Sequence, residues 1–334
     1  MIVVQKLRVL LILAIAAFFV VCYYTMNTKY DPLARYPYVT DTNREEIIAN
    51  ISKQDIQFII DEDIKPEQFL PFVKSEEFVM KNTVAYYEIS LISSEKNATI
   101  VSFTNQVLKT YTLGQILDYL EDYTFSNIID WVNYGDEYSS GSILVVHPTV
   151  LDTILDAVNT VGRYQPSDLE QVTALSTLIS KAEIYLVAEA NKNLDLMCEA
   201  LQSEFDEKCG GLIGVEGYVS YDQQRTMYDE YLLEHGPDLV SRYINFPGHN
   251  EVQLGKTITV IVAKNTEITF YGTKQYKWLL QHAHEYGFVI RYKQGKEELT
   301  KKRPQSNILR YVGKDLAKHI FENNLVLEET KVDK

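Results

Sequence analysis

The chain begins with a long run of uncharged, mostly apolar residues. No charged residue occurs from Val9 to Thr28, and Lys6 and Arg8 precede this run. A helix that crosses a membrane needs about 20 predominantly apolar residues, and basic residues mark the flank that stays in the cytoplasm. Bulky residues fill Val20 to Tyr24, where a cleaved signal peptide carries small ones, so the pattern favours a retained anchor. We therefore expect a single-pass membrane protein, with a cytoplasmic N-terminus and an extracytoplasmic bulk.

Beyond this span, apolar residues recur at helical spacing in a region that we place at residues 29–146. Thr42 and Glu45 fit a capping box, and Ser52 is suited to cap a second helix, because hydroxyl side chains accept hydrogen bonds from the free N–H groups of a first helical turn. The apolar positions return 69 residues later, which leaves internal duplication and chance alignment of amphipathic helices both open. The positions concerned are Ile47, Ile48, Ile51, Ile56, Ile59 and Ile60, and then Ile116, Leu117, Leu120, Phe125, Ile128 and Ile129.

Other segments complete the expected secondary structure. Val84–Phe103 is rich in Tyr, Ile and Val, which predicts strands. A Ser- and Gly-containing boundary near Ser139–Pro148 precedes two segments of helical pattern, Leu151–Val161 and Lys181–Phe205. The second helix carries an apolar stripe that predicts core packing, made of Leu186, Ala190, Leu194, Met197 and Leu201. We divide the chain into residues 1–28 with the anchor, 29–146 and 147–334.

The overall charge argues against a nucleic-acid partner. The 334 residues carry a formal net charge of -14 at pH 7, whereas binding to phosphates needs clustered Lys and Arg. Hydrophobic residues make up 46% of the chain, enough for folded cores.

Cys198 and Cys209 pose a separate question. They can form a disulfide in an oxidising compartment, but their spacing alone does not bring their Cα atoms within bonding reach. We therefore favour two separate, partly buried thiols.

Spaced sequence blocks in the C-terminal part carry a family resemblance. They are Y-Q-P-S-D-L from Tyr164, GYVSYDQQ from Gly217, PGHNEVQLGKTIT from Pro247, WLLQHAHEYGFVIRY from Trp278 and QSNILRYVG from Gln305. Together they resemble the zinc D-alanyl-D-alanine carboxypeptidases of the VanY type, which have a Hedgehog/DD-peptidase-like fold. The resemblance implies an α+β domain with helices around a small, mostly antiparallel sheet, preceded here by a mainly helical domain and one transmembrane helix.

The same resemblance identifies a reaction centre whose chemical groups are missing. It places the three zinc ligands at Val252, Thr259 and Ile308, the general base at Gln305 and a substrate-binding arginine at Val219. Hydrocarbon side chains offer no donor atom, a neutral hydroxyl is a poor ligand, and an amide does not titrate. Without metal and base, a water molecule is not activated by the family mechanism. We therefore predict that zinc, expected in active members, is absent and that no catalytic residue remains.

The framework of the blocks is retained, which predicts a folded domain with a residual binding cleft. Its predicted binding residues are Tyr218, Ser220, Tyr221, Gln224, His249, Glu251, Gln253 and Arg310. A relocated metal site stays open, because His249 and Glu251, or His282 and Glu285, share a face of a strand or helix.

Three hypotheses follow for the function. The first is a membrane-anchored, inactive pseudo-carboxypeptidase that binds a peptidoglycan peptide or an envelope protein. The second is an active, divergent D-alanyl-D-alanine or L,D-metallocarboxypeptidase with relocated ligands. The third is an assembly protein in which the helical region does the work.

Overall fold

The computed structural model describes residues 2–28, 31–138, 141–178, 183–237, 245–262 and 270–331. The chain divides into two compact units, residues 1–113 and 114–334. The fold class is the predicted one: a helical N-terminal part with one long apolar helix, and an α+β C-terminal part. The limits at 28/29 and 146/147 that we drew from the sequence stay a prediction.

The first unit is built from helices. They are α1 (Ile2–Thr28), α2 (Arg44–Asn50), α3 (Lys53–Asp61), α4 (Pro66–Phe69), α5 (Thr83–Ile92) and α6 (Asn97–Val107). Within α1, the 19 residues Arg8–Met26 have a mean hydropathy of 2.5 and are not buried within the protein, so length and composition suit a membrane span.

The capping predictions had different outcomes. Ser52 caps α3 in a capping box with Asp55, as expected. The box at Thr42 is wrong, because the residue that precedes α2 is Asn43, without a side-chain cap. Ile47, Ile56 and Ile59 are buried in one apolar core.

The predicted strands in Val84–Phe103 are wrong, since this segment lies in α5 and α6. Ala85, Tyr86 and Ile89 are buried on α5, and so are residues at helical spacing on α6. Burial of these helix faces outweighs the local preference of Tyr, Ile and Val for strands.

The second unit combines helices with short strands. Its helices are α7 (Leu113–Leu120, whose first residue closes the first unit), α8 (Phe125–Tyr138), α9 (Ala188–Phe205), α10 (Tyr221–His235), α11 (Lys274–His282), α12 (Glu297–Thr300) and α13 (Lys314–Glu322). Its strands are β1 (Ile143–Leu144), β2 (Asn159–Thr160), β3 (Leu169–Gln171), β4 (Ser176–Thr177), β5 (Tyr185–Val187), β6 (Leu212–Glu216), β7 (Thr257–Val262), β8 (Phe288–Tyr292) and β9 (Gln305–Tyr311). α2–α3 and α7–α8 repeat the helix-turn-helix pattern, and the duplication itself stays a prediction.

A five-stranded sheet of order β4-β6-β7-β9-β8 forms the centre of this unit, antiparallel except for the β4–β6 pair. One face of the sheet, with Ile258 and Leu309, packs on α9 and α11 in the main core. The apolar stripe predicted on this helix is confirmed for Ala190, Leu194, Met197 and Leu201, which are all inaccessible to solvent, whereas Leu186 is buried in strand β5 and not on the helix. The opposite face of the sheet is therefore the one left for the site.

Two predicted helical segments need correction. Leu151–Val161 is not a helix: Asp156 accepts hydrogen bonds from the N–H groups of Val158 and Asn159, and this turn leads into β2. The helix predicted from Lys181 begins at Ala188, after strand β5; residues 181 and 182 themselves lie outside the described residues.

The expectation of two separate thiols is also wrong. Cys198 on α9 and Cys209 form a disulfide that ties the body of α9 to the turn leading into β6. The left-handed backbone of Asp206, Cys209 and Gly210 turns the chain back towards α9 and brings the two residues together, which their spacing alone did not reveal.

Candidate functional site

The predicted reaction centre lies on the sheet face opposite the main core. Thr259 on β7 is the direct cross-strand partner of Ile308 on β9. On the other side of β7, Thr259 pairs with Glu216 at the end of β6, where a β-bulge follows Gly214. Directly opposed residues of antiparallel strands place their side chains on one face, with Cβ atoms about 4.5–5.5 Å apart. Glu216, Thr259 and Ile308 therefore form one row across the sheet.

The other two positions of the centre precede the members of this row along the chain. Gln305 begins β9 and Val252 lies in the 3-10 turn Glu251–Leu254 that leads into β7. Gly255 separates that turn from the strand with a φ of +65°, and a Cβ there would lie 3.0 Å from Leu169 and 3.1 Å from Val187. Glycine is therefore needed where the chain turns into the site.

These residues do not fit zinc. A catalytic zinc site needs three nitrogen, sulfur or carboxylate donors, whereas Val252 and Ile308 carry hydrocarbon and Thr259 a neutral hydroxyl. Across the described ranges, no group of three or more His, Cys, Asp or Glu side chains is placed to hold a metal ion.

Both pairs considered as relocated ligands make other contacts. His249 Nδ1 lies 2.6 Å from the Asp156 carbonyl oxygen, and the carboxylate of Glu251 is engaged by Arg291. His282 and Glu285 contact each other at 3.0 Å on the exposed surface of α11 and the turn after it.

Most of the predicted binding residues are internal. Six of the eight are buried, and these are Tyr221, Gln224, His249, Glu251, Gln253 and Arg310. Ser220 accepts a hydrogen bond from the N–H of Gln223 and so caps α10. Tyr218 lines an open cleft. A role of these residues in ligand contact stays a prediction.

Two glutamines join three of the motif blocks. Gln224 on α10 donates to the side-chain oxygen of Gln253 at 2.9 Å. Gln253 in turn donates to the carbonyl oxygens of Gly162 and Tyr164 at 2.8 and 2.9 Å. Because buried amides are costly when unpaired, this chain of bonds holds α10, the turn before β7 and the Tyr164 segment together.

A buried ion network occupies the space beside the site. Arg291 on β8 binds both carboxylate oxygens of Glu251 at 2.8 Å and those of Glu328 at 3.0 and 2.8 Å. Burial alone would raise the pKa of Glu251, but the Arg291 guanidinium brings that pKa below its ordinary value. The charges of Glu251 and Arg291 are thus satisfied inside the protein rather than offered to a ligand.

Two more buried cations neighbour this network. Arg310 donates to the carbonyl oxygen of Thr153 at 3.2 Å, and burial lowers its pKa to about 10. Lys256 binds three backbone carbonyl oxygens between Pro148 and Val150, and burial lowers its pKa to about 7. Both side chains hold the segment before β2 against the sheet.

An open cleft of about 430 Å³ lies at the β6 end of the row. It is lined by Glu216, Tyr218 and Val219, with Ile184 and Met227 among its apolar walls. Burial raises the pKa of the Glu216 carboxyl and raises that of Tyr218 to about 12. The cleft therefore contains Val219, where the resemblance predicts a substrate-binding arginine, together with a carboxylate.

Glu216, Arg291 and Glu328 were missed by sequence reasoning. Glu216 directly precedes the GYVSYDQQ block, and Arg291 lies between the apolar run Phe288–Ile290 and Tyr292. A charged residue within an apolar strand pattern was the available signal, because such a residue needs a buried partner or a ligand.

Comparison with known proteins identifies the C-terminal unit. The family described as VanY, D-alanyl-D-alanine carboxypeptidase, matches residues 183–314. The LdcB LD-carboxypeptidase, solved in a study of peptidoglycan recognition, superposes with a TM-score of 0.54 at 31% identity, over 59% of this chain and 93% of that structure.

Two sequence relatives agree with this match. "Putative carboxypeptidase YodJ" of Bacillus subtilis (strain 168) is 35% identical over 172 residues, which cover 50% of this chain and 62% of the relative. The bifunctional D-Ala-D-Ala dipeptidase and carboxypeptidase VanXYC of Enterococcus gallinarum is 27% identical over 155 residues, 45% of this chain and 79% of that protein. Through its C-terminal unit, the chain belongs to the VanY family of D-alanyl-D-alanine carboxypeptidases.

Proposed function

We propose that this protein is a membrane-anchored, catalytically inactive VanY-family protein that binds a peptidoglycan stem peptide outside the cell. The observation that carries the proposal is the row at Thr259 and Ile308. The framework holds these two residues side by side as direct strand partners, yet neither offers zinc a strong donor. A retained fold around positions without strong zinc donors supports a binding role without hydrolysis.

The buried interactions around the centre support this proposal. Val252 is only 8% exposed, and the Glu251–Arg291 pair beside it is bonded within the protein. A relocated zinc site would need carboxylates or imidazoles free to turn towards a common point. Glu251 and His249, one of the two pairs considered as relocated ligands, already have partners at 2.8 and 2.6 Å.

The test uses the full chain in detergent micelles. We expect no stoichiometric zinc by elemental analysis after incubation with zinc, and no D-alanine released from a synthetic peptide ending in L-Lys-D-Ala-D-Ala. We expect the same peptide to bind measurably by calorimetry. Stoichiometric zinc or released D-alanine would support the active alternative instead, and absence of binding would rule out this peptide as the ligand.

A restored variant serves as the positive control. Val252→His, Thr259→Asp and Ile308→His together rebuild the family's ligand set on the same strands and turn. We expect this variant to bind one zinc ion, because Thr259 and Ile308 are already cross-strand partners. A folded triple variant that binds no zinc would show that these positions do not converge, and the argument for inactivity would fall.

A further inference from the structure

The cleft at the end of β6 has an unusual charge arrangement. Its two ionisable carboxylates, Glu183 and Glu216, are accompanied by no Lys, Arg or His among the described residues that line it. Glu183 accepts a hydrogen bond from Tyr185 at 2.7 Å. The side chain of Glu216 makes no hydrogen bond or ion pair with any residue in the described ranges, although its backbone belongs to the β6–β7 pairing. The cleft thus holds a carboxylate with unused hydrogen-bonding capacity.

The surroundings of Glu216 make the charged form of its carboxyl costly. Burial disfavours its charged form, and no neighbouring cation offsets that cost. A bound cation would stabilise the ionised carboxylate and offset this cost. Hydrogen bonds between ionised groups are stronger than neutral ones, especially where water is partly excluded.

The walls of the cleft indicate the shape of that cation. Ile184, Val219 and Met227 provide apolar surface beside the carboxylate. A long aliphatic chain that ends in a primary ammonium group combines the same two properties, since its methylene stem packs on apolar surface while its head seeks a charge. A small inorganic cation has no aliphatic stem and would use only the charge.

We propose that this cleft binds the primary ammonium group of a lysine-type side chain, with the Glu216 carboxylate as its counter-ion. The inference rests on the proposed function in one respect: the side chain is taken to belong to the stem peptide. Val219 contributes to this preference for an ammonium ligand, because a cationic side chain at position 219 would compete with the ligand for Glu216.

The experiment compares two peptides on the full chain in micelles. One ends in L-Lys-D-Ala-D-Ala, and the other is identical but acetylated on the lysine Nε, which removes the charge and keeps the stem. We expect the free amine to bind about tenfold more tightly, the difference expected when one charge-assisted hydrogen bond is lost. Glu216→Gln should abolish that preference, whereas Glu230→Gln, the same change on an exposed position of α10, should preserve it.

Further results of this experiment, and one additional titration, distinguish a failure of this inference from a failure of the proposed function. Equal binding of both peptides, unchanged by Glu216→Gln, would overturn the ammonium site and leave peptide binding intact. If neither peptide binds, Nα-acetyl-lysine amide is titrated while NMR resonances near Glu216 are followed. Saturable shifts that Glu216→Gln removes would sustain the ammonium site and reject the stem peptide, and their absence would reject both.

Discussion

Glu216 carries a negative charge in surroundings that disfavour it. The groups that face it are Thr259 from β7 and Glu183 and Tyr218 from the cleft, and none of them is a cation. Its pKa in the folded protein is raised by burial above the ordinary 4.5. Ionised Glu216 therefore lowers the free energy of unfolding at pH values above the raised pKa. Below the ordinary pKa the carboxyl is protonated in both the folded and the unfolded state, and this destabilisation disappears.

We accordingly expect Glu216→Gln to stabilise the protein at neutral pH. The gain should be at most about 1 kcal/mol, because Glu216 is only half-buried and water still reaches its carboxylate in part. It should shrink as the pH falls through the raised pKa and vanish below about 4.5. Thermal unfolding of variant and wild type across this pH range measures the difference, and Glu230→Gln is the control that should show no comparable gain at neutral pH. A destabilised Glu216→Gln variant at pH 7 would mean that the carboxylate has an internal partner.

At the scale of elements, the Arg291 network joins three parts of the C-terminal unit. Arg291 lies on β8, Glu251 in the turn before β7, and Glu328 in the C-terminal 3-10 turn. Arg291 and Glu251 are 2% and 3% exposed. Removal of one member of a buried pair leaves an uncompensated charge, which costs more than the pair itself contributes.

Arg291→Met should therefore destabilise the unit by about 3–5 kcal/mol. Arg225→Met is the matched control, because Arg225 pairs with Asp229 on the exposed surface of α10 and such pairs contribute about 0–1 kcal/mol. Urea unfolding followed by tryptophan fluorescence reports on this unit, since both tryptophans, Trp131 and Trp278, lie within it. The double variant Glu251→Gln with Arg291→Met should recover part of the loss. Equal effects of the two single arginine changes would indicate that the network contributes no more than a surface pair.

The sequence revealed elements with strong local patterns and missed those set by distant contacts. The stripe on α9 was predictable because Leu194, Met197 and Leu201 recur at helical spacing, and the motif blocks located Thr259 and Ile308. Nothing local indicated that Arg291 meets Glu251 40 residues away. Glu216 was overlooked because its significance depends on strand pairing with Thr259, which only the folded sheet establishes.

At the scale of the whole molecule, two features bear on where the protein resides. α1 has the length and composition of a membrane span, which suits an anchor and a signal sequence equally. The Cys198–Cys209 disulfide suits an oxidising compartment outside the cytoplasm. The proposed function requires the C-terminal unit to reach the cell wall, so the remaining question is whether the span is retained.

We expect the span to be retained, because Val20, Cys22 and their neighbours do not form the small-x-small site that a signal peptidase needs. Intact mass spectrometry of the membrane fraction should give a chain that includes residues 1–28, and protease added to spheroplasts should digest the C-terminal unit. The double variant Val20→Ala with Cys22→Ala creates the missing A-x-A site and should release part of the protein into the medium as a shorter chain. A wild-type mass that lacks the first residues would show that the span is cleaved even without an engineered A-x-A site. Protection of the C-terminal unit from external protease would place it in the cytoplasm, where it has no access to a stem peptide of the cell wall.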